Sequence, residues 1–166
     1  GLAVVTSVII GLGLGIISAL KSGRWPDRLC MFISTLGITI PSFVISALLI
    51  YIFASKMRIL PTTGLDNWKS YIMPVIALAG SSTAFITRLT RSKLIDVMKS
   101  DYIRTAKAKG LSKRTVIFKH ALKNSIIPVV TYLGPLVAGI LTGSFVVEKI
   151  FSIPGLGKEF VSNVNT

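Results

Sequence analysis

The chain has 166 residues, of which 51% are hydrophobic and only 15% charged, with a mean hydropathy of +0.72 and a formal net charge of +13. A soluble domain carries nearer a quarter charged residues, and here the apolar residues come in long blocks, which excludes an ordinary soluble domain and points to an all-α, polytopic transmembrane helical bundle. The charge does not mark a nucleic-acid binder, because it lies in alternate connections between the apolar blocks rather than on a free basic domain.

In chain order, the blocks at residues 1–20, 29–54, 71–87 and 125–147 approach the ~20 apolar residues that a helix needs to cross a bilayer core. The third is short and rich in small residues. The connections 21–28 and 88–123 hold three and eleven of the nineteen Lys and Arg residues, against three in 54–70 and two in 148–166. Lys- and Arg-rich loops stay cytoplasmic, so the first pair faces inward and the second outward. This alternation agrees with four spans. Gly1 opens directly into an apolar run with no Met start, and the expectation is an excerpt from a longer protein.

The first span enters from outside and ends in the basic turn from Lys21 to Arg28. Gly11 and Gly15 are four apart, as are Gly139 and Gly143, a spacing read as close helix packing. Cys30, the lone cysteine, sits in an apolar run and reads as packing. The second span runs outward with Pro41 in its middle, where a kink is expected. Thr35, Thr39, Ser42 and Ser46 follow at spacings of four, three and four, which on a continuous helix puts them on one face. That face reads either as a helix contact, each hydroxyl bonding a carbonyl of its own helix, or as the polar wall of a translocation path. The outer loop carries Pro61, Gly64, Asp66 and Asn67 as turn formers. Inward again, the third span passes Pro74 and Gly80-Ser81-Ser82 to Arg88.

The loop at 88–124 is too patterned for a plain connector. Ser100 or Asp101 can cap a helix from Tyr102 to Lys109, Gly110 suits a left-handed stop, and Ser112 can cap a second helix through Val116, Phe118, Leu122 and Ile126. Ala106 and Gly110 would present a surface nearly free of side chains, ringed by Arg104, Lys107, Lys109, Lys113 and Arg114, which attract an acidic partner or anionic membrane lipid. The fourth span leaves near Pro128 and ends at Glu148.

The run Arg104-Thr105-Ala106-Lys107-Ala108-Lys109-Gly110-Leu111-Ser112, followed by His120-Ala121-Leu122-Lys123-Asn124-Ser125-Ile126-Ile127-Pro128, resembles the EAA loop of ABC importer permeases. Its wording is that of the peptide and nickel branch, close to the B-type subunits of oligopeptide and dipeptide permeases. Gly37-Ile38-Thr39-Ile40-Pro41-Ser42-Phe43 fits the same branch, as does Glu148-Lys149-Ile150-Phe151-Ser152-Ile153-Pro154-Gly155-Leu156-Gly157. The family motif opens Glu-Ala-Ala where this chain has Arg104-Thr105-Ala106, and its closing proline falls near Lys123, five residues before Pro128. No role of the motif's glutamate is therefore carried to Arg104.

The resemblance implies a type I permease fold and a bacterial inner-membrane location. It makes the loop from Arg104 to Ser112 the coupling helix that docks on a cytoplasmic ATPase subunit. A second permease subunit, expected as a heterodimer partner, and an extracytoplasmic substrate-binding protein complete the expected assembly. Full members have six spans, and this chain would cover the second through fifth. No cofactor is expected on this chain, and ATP with magnesium would be bound by the ATPase. Gly155-Leu156-Gly157-Lys158 lacks the spacing and the Ser or Thr of a phosphate loop, and Ile16 stands where a dinucleotide fingerprint needs its last glycine. His120 has no second ligand near it for a metal. The chief alternative is a fragment of a secondary transporter or channel that works without an ATPase.

Overall fold

The computed structural model describes residues 1–62, 67–143 and 145–153. The described residues form helices and connections only: α1 (Leu2–Leu20), α2 (Trp25–Thr39), α3 (Ser42–Leu49), α4 (Ile72–Met98), α5 (Asp101–Ala108), α6 (Lys113–Thr115), α7 (Leu122–Ser125), α8 (Ile127–Gly143) and α9 (Phe145–Phe151). The winding of α3 loosens into a π-helical stretch, Ile50–Lys56, and α6 passes into α7 through another, Val116–Ala121. A 3-10 turn, Trp68–Tyr71, leads into α4, with Asn67 Oδ1 accepting from the Lys69 N–H. The expected turn formers Gly64 and Asp66 lie outside the described residues.

The longest helix, α4, spans about 40 Å at 1.5 Å per residue and is the axis against which the others pack. Its partner along most of that length is α1. The face that α1 turns to it is made of Ala3, Ser7, Gly11, Gly15 and Ser18, all buried and spaced by four or three residues. A Cβ on Gly11 would stand 2.8 Å from Ile86 Cβ, and one on Gly15 would stand 2.5 Å from Thr90 Cβ. The stripe lets the two backbones approach closely. Ser7 Oγ donates to the Ala3 carbonyl of its own helix at 2.7 Å and reaches the Ala79 carbonyl of α4 at 3.3 Å. The expected packing at Gly11 and Gly15 is therefore present, within a stripe of five small residues. A Cβ at Gly139 would meet nothing within 4 Å among the described residues, and the surroundings of Gly143 lie outside them.

By length and composition, two helices suffice to cross a membrane, Leu2–Leu20 and Trp68–Met98. The count rises to four if each of two bent pairs is one span, Trp25–Thr39 with Ser42–Lys56 and Lys113–Ser125 with Ile127–Ile140. Two expectations change here. The third block is the first part of an unbroken helix, so residues 88–98 of the expected loop belong to α4. The second block does not kink at Pro41 but breaks, with a bend of 102° between its arms. Pro41 has no N–H to give the Gly37 carbonyl, and Ile40 and Pro41 both adopt extended backbone.

Buried side chains gather at three levels along α4. At one end Met73 and Ala77 meet Val147 and Phe151 of α9, with Leu49 and Phe53 beside them. In the middle Ile86 meets Val129 and Leu136 of α8. At the other end Leu94 meets the helices of the loop.

Candidate functional site

The loop helices are seated, not dangling. Ile103 (0% exposed) and Ala106 (7%) of α5 are buried in one cluster with Val116, Ile117, Ala121 and Leu122 and with Leu94 of α4, the Val116–Ala121 stretch being the packing partner of α5. The i,i+3 spacing of Ile103 and Ala106 places both on one face of a short helix. On the facing side Arg104, Thr105, Lys107 and Ala108 are exposed, and Lys109, Gly110, Leu111 and Ser112 continue that surface. Gly110 has φ +76° and a Cβ there would meet nothing within 4 Å, so it makes the expected left-handed stop. Ser112 caps α6 as expected, accepting from the Thr115 N–H at 3.3 Å. Ser100 stands at the start of α5 but donates backward to the Val97 carbonyl at 2.6 Å.

The side-chain-free surface expected at Ala106 and Gly110 does not form. Ala106 is a core residue of the loop, and the helix has ended before Gly110. A small residue at Ala106 admits close packing from within, in place of a partner from without. The exposed surface is carried by Lys107, Ala108 and Lys109. Arg104 makes an exposed ion pair with Asp101, Nη1 to Oδ1 3.5 Å, worth little in water.

The polar stripe of the second block is also rearranged. With the break at Ile40 and Pro41, Thr35 and Thr39 lie on one arm and Ser42 and Ser46 on the other, so the four share no common face. Thr35 Oγ1 donates to the Met31 carbonyl at 2.8 Å and accepts from Arg88 Nη2 of α4 at 2.9 Å. Ser46, buried, donates to the Ser42 carbonyl at 2.9 Å. Both hydroxyls thus bond a carbonyl of their own helix, as the packing reading expects. Thr39 and Pro41 are exposed. Ser42 instead opens onto a cleft of about 210 Å³ between α3, α4 and α8, shared with Ser81, Ser82, Tyr132 and Gly139. Pro135, within α8, stands on the same cleft and leaves the Thr131 carbonyl without its helical partner.

Sequence reasoning missed a buried carboxylate. Asp27, in the first turn of α2, is 3% exposed. Its Oδ1 accepts from Arg91 Nε at 2.6 Å and from Ser18 Oγ at 2.5 Å; its Oδ2 accepts from Arg91 Nη2 at 2.8 Å and from the Gly23 N–H at 2.7 Å. One signal for it was available: Asp27 is the lone acidic residue before Asp66, set in a basic turn.

Comparison with known proteins agrees with the motif resemblance. Residues 11–166 match the family described as binding-protein-dependent transport system inner membrane component. The dipeptide transport system permease protein DppB of Bacillus subtilis (strain 168) is 50% identical over 163 residues, 98% of this chain and 53% of the relative. The glutathione transport system permease proteins GsiC of Escherichia coli (strain K12) and of Shigella flexneri serotype 5b (strain 8401) are 46% and 45% identical over 162 residues, again 98% of this chain and 53% of each relative. The chain thus spans about half the length of the curated relatives it matches. On these grounds the chain belongs to the binding-protein-dependent transport system inner membrane components, the permeases of ABC importers, in the branch that its loop motif resembles.

Proposed function

We propose that this chain is part of the permease subunit of an ATP-driven importer of peptides or a related small solute, multi-pass in the bacterial inner membrane. In this reading α5 is the element that receives movement from a cytoplasmic ATPase. The observation that carries it is the seat of α5: Ile103 and Ala106 are buried in one cluster with Leu94 of α4, reached through the Val116–Ala121 stretch that packs on both helices and leads toward α8. Interiors pack closely, so a push on α5 shifts its neighbours as a body rather than being absorbed locally. The exposed, basic face from Arg104 to Ser112 is the side left for the ATPase.

The substrate class rests on the relatives, whose names give dipeptides and glutathione. Both are short, polar peptides. The cleft beside Ser42, with hydroxyls at Ser81, Ser82 and Tyr132, offers neutral donors and acceptors to such a solute as it passes. Pro41 sets the break that turns Ser42 toward it. ATP and magnesium belong to the ATPase, and a second permease subunit and an external binding protein complete the assembly.

The test is uptake of labelled dipeptide and glutathione by the whole transporter carrying Ala108→Trp. Bulk on the exposed face should abolish uptake while the permease stays in the membrane. Wild-type uptake by that variant would sink the assignment. The chief alternative, a transporter driven without an ATPase, has the 102° break in its favour, a feature of secondary transporters, but the family match over residues 11–166 weighs against it. Uptake that persists in vesicles lacking ATP and the ATPase would select it.

A further inference from the structure

The pair of buried Asp27 and half-buried Arg91 has no part in a docking surface or a polar cleft, yet its carboxylate is heavily bonded. Four donors converge on one carboxylate, from α4 (Arg91, twice), from the end of α1 (Ser18) and from the turn between α1 and α2 (Gly23). The two-pronged contact of Arg91 fixes both distance and direction. On α4, Arg91 precedes Leu94 by three residues, about 4.5 Å along the axis. Leu94 belongs to the same buried cluster as Ile103 and Ala106 of α5, and the Val116–Ala121 stretch packs against both α5 and α4. On α1, Ile16 and Ala19 flank Ser18 and touch that same buried cluster. The seat of α5 and the clamp on α1 and α2 are therefore one helical turn apart on a single rigid helix.

Resting on the coupling reading above, we infer that Asp27 and Arg91 are a positioning pair which makes α1, α2 and α4 move as one unit when α5 is displaced. Close packing transmits a push but its attraction has no direction, so it leaves the register of α2 on α4 less tightly set than directional bonds do. Four short, charge-assisted bonds to one carboxylate hold a single register. Arg88, three residues before Arg91, adds a second link to α2 through Thr35. Without the clamp, α4 would still follow α5, but α1 and α2 would lag.

The experiment measures solute transported per ATP hydrolysed, in liposomes holding the complete transporter. The principal variant is Asp27→Leu with Arg91→Met, because replacing both members of an ion pair by apolar side chains of similar size leaves no unpaired charge on Asp27's buried side and often leaves assembly intact. It should hydrolyse ATP near the wild-type rate but transport at least ten times less solute per ATP. Ser18→Ala and Arg91→Lys alter single contacts and bear on the same ratio if the double variant does not assemble. Ser18→Ala should lower it severalfold, and Arg91→Lys, which keeps the charge and loses the fork, should fall between wild type and the double variant. Wild-type ratios in the double variant, or in both single variants, would overturn the inference. Ala108→Trp runs alongside: if it blocks uptake while the clamp variants transport normally, the clamp fails and coupling through α5 stands. If Ala108→Trp also transports normally, the coupling reading itself is lost.

Discussion

Asn124 Nδ2 donates to Tyr102 Oη at 2.9 Å, joining α5 to α7 across a gap of 22 residues. The bond is exposed, and beneath it lie the buried contacts of Ile103. The two layers should differ in weight. An exposed hydrogen bond contributes about 0.5–1.5 kcal/mol at most, whereas cutting a buried Ile to Ala costs about 2–5 kcal/mol. Tyr102→Phe should keep uptake within about twofold of wild type. Ile103→Ala should lose most uptake while the permease remains in the membrane. Equal effects would place the coupling contact on the surface.

The seam between α1 and α4 gives a paired prediction. Gly15→Ala places a Cβ against Thr90, and Gly13→Ala places one in open space. Overpacking costs about 1–3 kcal/mol, while a glycine in a helix interior is about 1 kcal/mol worse than alanine. In detergent, the complex with Gly15→Ala should melt several degrees lower, and the one with Gly13→Ala no lower than wild type. A reversed order would mean that the α1 stripe faces elsewhere.

Thr90 Oγ1 is buried and finds no hydrogen-bond partner among the described residues. A buried, unpaired hydroxyl costs about 1–3 kcal/mol relative to a satisfied one. Thr90→Val keeps the branch against Gly15 and removes the orphan group. The melting temperature should stay level or rise by a few degrees, and a clear fall would show that Thr90 has a partner in the full assembly.

The cleft beside Ser42 predicts a contrast between neighbours. Ser42→Leu puts an apolar branch into the cleft, while Thr39→Leu changes an exposed position on the other arm. Uptake of labelled dipeptide should fall about tenfold or more with Ser42→Leu and change little with Thr39→Leu. Equal, near-normal uptake would make the cleft a packing defect rather than a path.

Local signals carried the reading where neighbours along the chain decide structure. Gly110 stops a helix because a left-handed backbone favours glycine, and Ser112 caps the next because its hydroxyl reaches an N–H three residues on. Those two positions were legible, as was the long apolar run that became α1. The angle at Pro41 was not. A missing N–H tells where a helix loses a bond, but the 102° depends on what the arms pack against, and Leu49 and Phe53 meet α9 about a hundred residues later. Ala106 misled for a related reason. A small side chain permits close approach on either side of a helix, and only its spacing from Ile103 hinted that the inner side had claimed it. The partner of Asp27 stands 64 residues away, on a helix whose charges read locally as a basic loop.

Cysteine cross-linking reports on the coupling role of α5 itself. With Cys30 replaced by Ser, a single cysteine at Ala108 sits on the exposed face of α5, and one at Ala106 sits in its buried seat. In membranes holding the assembled transporter, the cysteine at Ala108 should join the ATPase in high yield, and the yield should change when ATP is added. The cysteine at Ala106 should join it poorly in either condition. No adduct from Ala108 in an intact complex, or a stronger one from Ala106, would mean that α5 does not meet the ATPase by its exposed face.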